Sequence, residues 1–162
     1  MGEGRVYYAD RQGNYLLKFV GDVRVTLCTT LNNYINYIFA ADDMTSVIVD
    51  LSEAKAVDST TLGFMAKVAI YANKRGLNPV LIASDKAMIR LVEGMGFVEI
   101  FAITDELPDS IEELQRMNCV AGSTEEARDQ VIEAHKTLMS LNTKNMETFS
   151  ALVKALESEA NL

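Results

Sequence analysis

Asp58-Ser59-Thr60-Thr61 gathers one acid and three hydroxyls in four consecutive positions, directly before an apolar helical pattern. Side-chain oxygens at such a junction accept hydrogen bonds from the N–H groups that a first helical turn leaves unpaired. Two chemistries are open to the serine. As a phospho-acceptor, Ser59 would gain a charge of about −1.5 to −2 and three acceptor oxygens, which a helix N-terminus tolerates well. As a nucleophile it would need a base. The one histidine, His135, falls in a polar C-terminal helical stretch and reads as a solvated residue, which leaves the usual Ser/His and Cys/His dyads without a base. The plainest role for Ser59 is a cap or first-turn hydroxyl worth about 1 kcal/mol. Thr60 is a minor alternative acceptor, and Thr61 reads as part of the first turn.

Other reactive types are sparse. Asp50 ends a β-branched run, as the acceptor aspartate of receiver domains does. Those domains cluster acids after their first strand, whereas Val20-Gly21-Asp22 offers one. Asp50 therefore reads as a residue bonded to nearby N–H groups. Gly94-Met95-Gly96 is a helix stop, too short for a nucleotide-binding fingerprint. Cys28 and Cys119 lie far apart, form no metal spacing and read as buried or free thiols of a cytoplasmic protein. No cofactor or metal is expected. The formal net charge of −8 argues against nucleic acid and anionic membranes as partners. No apolar run approaches the roughly 20 residues that span a bilayer, and the first residues lack the pattern of a secretory signal.

The positioning elements follow from periodicity. At 162 residues with 49% hydrophobic and 23% charged content, the chain can bury one sizeable core and carry an appendage. Residues 5–9 and 15–20 read as a hairpin about a turn at 10–14, with Tyr15, Leu17 and Phe19 on one face. Leu27, Leu31, Tyr34, Ile35 and Ile38 recur at helical spacing, with Thr26 as cap. Residues 46–51 read as a buried strand, and 52–57 as a loop. A helix runs from about 60 to 75, burying Leu62, Met65, Ala66, Ala69 and Ile70. Residues 80–83 read as a strand. Ser84 or Asp85 caps a helix carrying Met88, Ile89 and Val92. Residues 98–101 read as a last short strand, and 107–110 as the cap of a helix with Ile111, Leu114 and Met117 inward. After a linker at 118–123, Ser123-Thr124-Glu125-Glu126 is a capping box. A long helical pattern continues to about 159, interrupted at Asn142-Thr143-Lys144-Asn145. Its stripe (Val131, Ala134, Leu138, Leu141, Phe149, Leu152, Val153, Leu156) suits either packing onto the domain or a dimer or partner surface. Strands alternating with helices imply an α/β layer with parallel pairing.

Val49-Asp50-Leu51 followed by Asp58-Ser59-Thr60-Thr61-Leu62-Gly63 resembles the Asp-Ser-Ser/Thr-Gly-Leu-Gly signature of STAS domains, most closely that of bacterial anti-sigma-factor antagonists. Thr61 stands where the family usually has glycine. The segment from Met88 to Phe101 is similar to the family's Arg-Leu-Phe-x-x-x-Gly-Leu stretch. Gly21-Asp22-Val23-Arg24 matches a junction that often reads Gly-Glu-Leu-Asp there; Asp22 keeps the first acid and Arg24 replaces the second. The resemblance covers residues 5 to about 117. It implies a mixed β-sheet with an N-terminal hairpin and helices mainly on one face. The STAS domain would span 1–117, and a C-terminal helical extension 118–162. It implies a non-enzymatic switch phosphorylated at Ser59 by a serine protein kinase and reset by a serine phosphatase. An anti-sigma factor or the kinase would dock on Asp22, Arg24, Asp58, Ser59, Thr60, Thr61 and Leu62. Arg24 reads as a solvated loop residue that could also pair with a nearby phosphate. A homodimer through the C-terminal helix is a further expectation. Two alternatives stand beside the switch: a structural STAS subunit of a signalling or lipid-transport complex, never phosphorylated, and a serine-nucleophile enzyme.

Overall fold

The computed structural model describes residues 4–24, 28–107 and 113–161. Strands β1 (Arg5–Arg11) and β2 (Asn14–Val23) form the expected hairpin. Gln12 and Gly13 turn it with positive φ, the conformation a two-residue hairpin loop demands. Helix α1 (Thr30–Ala41) follows, with Thr29 at its N-cap. The expected cap Thr26 and stripe residue Leu27 lie outside the described residues.

Strand β3 (Ser46–Val57) is twice the expected length. The segment read as a loop continues the pairing with β2, from Glu53 opposite Val20 to Val57 opposite Val23. A register shift between Lys18 and Val20 interrupts the ladder. Near that bulge the buried Asp50 carboxylate accepts the Ser52 N–H at 2.8 Å, the local role expected for it. Helix α2 (Ser59–Lys74) leads to β4 (Val80–Ile82) and α3 (Lys86–Gly94), whose cap is Asp85.

Two expected elements are different. Residues Phe97–Glu99 form a 3-10 turn after Gly96, which has positive φ, and the strand comes later as β5 (Ala102–Thr104). Gln115–Met117, expected on a helix, is instead β6, pairing antiparallel with β1. Its main chain completes an open sheet edge, a demand that outweighs weak local propensity. Of the helix expected here, residues 108–112 lie outside the described set.

The sheet order is β5-β4-β3-β2-β1-β6. Pairs from β2 to β5 are parallel, and β1 is antiparallel to both its neighbours. Leu17, Phe19, Val47, Val49, Leu51 and Leu81 join Leu31, Ile35, Phe64 and Met65 in one core. On the other sheet face, Lys18 pairs with Glu53 and lies near Asp50. This is the expected mixed α/β fold.

The C-terminal pattern breaks where expected, giving α4 (Thr124–Met139) and α5 (Thr143–Ala160). Ser123 caps α4 by accepting the Glu126 N–H, and its hydroxyl donates to the Glu126 carboxylate. The stripe packs α4 against α2 and α5 against α4, although Leu152 is exposed. Asn145 staples the turn between them, donating to the Met95 and Leu138 carbonyls at 2.8 Å. Cys28 and Cys119 are joined as a disulfide, which corrects the expectation of buried or free thiols. The fold closes 91 residues of chain to bring them together, a proximity that spacing alone does not reveal. No helix among the described residues is long and apolar enough to cross a membrane.

Candidate functional site

The adjacent ends of β2 and β3 carry the site. The Asp58 N–H donates to the Val23 carbonyl at 3.0 Å, which fixes where the chain leaves the sheet. Asp58 is the N-cap of α2, with extended backbone. Its Oδ1 accepts the Thr61 N–H at 2.8 Å and also the Thr61 hydroxyl. Thr61 is therefore fully buried yet satisfied, as a buried hydroxyl requires.

Ser59 is the first residue of α2 and is half-buried. Its Oγ lies 2.7 Å from Nε2 of His135. The other ring nitrogen, Nδ1, lies 2.7 Å from the Val131 carbonyl. A carbonyl only accepts, so Nδ1 carries a proton; in the neutral ring Nε2 is then the acceptor and Ser59 donates. The imidazole is 2% exposed and meets the Phe149 ring edge-on, with centroids 4.9 Å apart.

His135 is thus the residue that sequence reasoning misplaced. It was expected in solvent, and Ser59 was expected to have no base. Docking of α4 on α2 buries the ring and gives Ser59 a hydrogen-bond partner. A signal was present: His135 adjoins Ala134 on the inward stripe of Val131, Ala134 and Leu138.

Below this contact the two helices touch closely. A Cβ on Gly63 would fall 2.4 Å from the Ala134 carbonyl oxygen. One turn further, Lys67 pairs with Glu133 and lies 5.9 Å from the Phe39 ring centroid.

The other expected docking residues divide by exposure. Asp22 is partly exposed and Arg24 is exposed. Arg24 donates to both Asp22 carboxylate oxygens, at 3.2 and 3.1 Å. These bonds and the Asp22 charge raise the guanidinium pKa, and the Asp58 charge adds to the effect. Thr60, Thr61 and Leu62 are buried, so they shape the mouth from inside. Among the described residues no group of three or more His, Cys, Asp or Glu could hold a metal ion.

A mixed sheet whose third strand delivers an Asp-Ser pair to a helix entrance defines a class. The STAS domain model matches residues 8–113, well over half of the chain, and the protein belongs to that family. A search of curated proteins gives no match. Among solved structures the fold is similar to an anti-sigma factor antagonist from Mycobacterium paratuberculosis, with 18% identity and a TM-score of 0.50, covering 65% of this chain and 88% of that one. It is also similar to a candidate anti-sigma factor antagonist from Thermotoga maritima, with 14% identity and a TM-score of 0.50, covering 62% and 86%. At these identities the likeness is one of fold.

Proposed function

We propose that this chain is an anti-sigma-factor antagonist working as a phosphorylation-controlled interaction switch. Unphosphorylated at Ser59, it binds an anti-sigma factor or a serine kinase partner. Phosphorylated, it releases that partner, and a serine phosphatase resets it. The placement of Ser59 carries this reading: the first position of a sixteen-residue helix, beside the acid that caps it. A phosphate there would be tolerated by the helix N-terminus. Asp58 would add like charge, so the surface offered to a partner would turn more negative. The change in affinity is electrostatic, and the module does no chemistry of its own. The cytoplasm is the compartment proposed.

The test has two parts. Intact mass spectrometry of protein from its native host, before and after phosphatase, should show one phosphoryl group placed on Ser59 by fragmentation. Ser59→Ala should bind the anti-sigma factor constitutively, and Ser59→Asp should bind it weakly. Equal affinity for the two variants overturns the reading.

A second reading has its own observation. Ser59 with His135, its tautomer set by Val131, has the arrangement of a serine nucleophile and its base. Stoichiometric labelling of Ser59 by a fluorophosphonate, lost in His135→Ala, would favour it. The carbonyl in place of an orienting carboxylate and the missing Gly-x-Ser-x-Gly elbow weigh against it.

A further inference from the structure

We propose that the outer face of α2 is a helix-docking surface filled here by the chain's own α4, and that the partner of the switch docks on it with a helix of like chemistry, in competition with α4. The proposal rests on the switch reading and adds what now occupies its surface.

Ser59, Gly63 and Lys67 lie four residues apart on α2 and form one ridge. Three consecutive residues of α4 meet that ridge. His135 takes the Ser59 hydroxyl, Ala134 sits against Gly63, and Glu133 pairs with Lys67. The complement to the α2 face is thus an acidic residue, a small residue and a hydrogen-bond acceptor in succession on a helix. A partner helix carrying that triplet can make the same contacts.

Of the two packed helices, α4 is the one with less to lose on parting. Five residues of α4 are buried: Ala127, Gln130, Ala134, His135 and Leu138. Two are alanines, two are polar, and Leu138 alone is a large apolar side chain. Val131 and Ile132 add partial burial, and Gln130 donates to the Cys28 carbonyl, yet α4 buries fewer large apolar side chains than α2, so it is the helix that can lift without opening the sheet core. In contrast, α2 buries Leu62, Phe64, Met65 and Val68 as well, and stays with the sheet. Ser59 is bonded to His135 while α4 is docked, so the same displacement frees the hydroxyl for a kinase.

The test uses the full chain with Ala134→Arg, whose long side chain has no room over Gly63. The probe is a fluorescent synthetic peptide of residues 121–161 with the natural sequence. The peptide should bind Ala134→Arg at least roughly tenfold more tightly than wild type, whose own α4 occupies the surface. Amides of residues 124–139 should exchange at least roughly tenfold faster in the variant, with those of β2 and β3 unchanged. Absence of peptide binding to the variant, equal binding to both proteins, or unchanged exchange in α4 overturns the proposal. Should Ala134→Arg fail to fold, His135→Ala removes the Ser59 contact without adding volume, and should shift both readouts the same way by a smaller factor. Neither readout needs phosphorylation or a partner, so the docking surface can stand while the switch reading falls. Conversely, an anti-sigma factor that binds wild type and Ala134→Arg equally removes the competition and leaves the switch reading intact.

Discussion

Gly63→Ala turns the contact between α2 and α4 into a stability measurement whose sign is informative. In an open helix interior this change should stabilise by about 1 kcal/mol, because alanine is the better helix former. Here the new Cβ would lie 2.4 Å from the Ala134 carbonyl oxygen, 2.6 Å from its Cβ and 2.7 Å from its carbonyl carbon. Ordinary contact begins at 3.4 Å, so α4 would have to recede by about 1 Å. A retreat of that size stretches the 2.7 Å Ser59–His135 contact beyond hydrogen-bond range, losing about 1 kcal/mol. Overpacking adds about 1–3 kcal/mol. The expected net effect is a destabilisation of about 1–3 kcal/mol. Urea unfolding of the full chain measures it, and the NMR shifts of the His135 ring report whether the bond is lost. Adding Ala134→Gly removes the Cβ clash but not the carbonyl one, so rescue should be partial. A Gly63→Ala protein about 1 kcal/mol more stable than wild type, with unmoved His135 resonances, would refute the close packing of α4.

Three further outcomes follow from the geometry. Asp58→Ala removes the acceptor for both the N–H and the hydroxyl of buried Thr61 and should cost about 1–2 kcal/mol in urea unfolding; Asp58→Asn, which keeps an acceptor oxygen, should restore most of it. Cys119→Ser opens a loop of 91 residues and should cost up to about 4–5 kcal/mol under oxidising conditions; with dithiothreitol the gap to wild type should close. The Asp42 carboxyl is held below its ordinary pKa, chiefly by hydrogen bonding from Arg75 and then from the Tyr71 hydroxyl. A depressed folded pKa adds stability above the unfolded value and loses it as pH falls through the folded one, so the deficit of Arg75→Gln, followed by circular dichroism, should be full at neutral pH and narrow below about pH 4.

The sequence revealed those parts of the fold where local chemistry and tertiary need agree. The turn before Asn14, the Asp85 cap and the apolar run at Val47 were legible because each follows its own short-range rule. The far half of β3 was not, since Ser52-Glu53-Ala54-Lys55 carries few strand formers and is held by its ladder to β2. Gln115-Arg116-Met117 likewise becomes a strand because β1 offers an open edge. At the site, Asp58 and Ser59 were readable from type and order alone. His135 was not, because its polar neighbours suggested solvent, and only the crossing of two helices 76 positions apart brings it to Ser59.

The seam that joins residues 28–30 to residues 119–121 sets how far the helical hairpin can wander. Beside the disulfide, Val120 and Ala121 are tied to residues 28–30, so Gly122 alone separates that anchor from Ser123 at the head of α4, a leash of about 7 Å at full extension. A helix held that near its seat has a high effective concentration, and an outside rival must outbid it. With the disulfide open, Val120 is still held by the Thr29 N–H and by the Thr30 hydroxyl, and Ala121 still bridges to Cys28, so the anchor stays beside the head of α4.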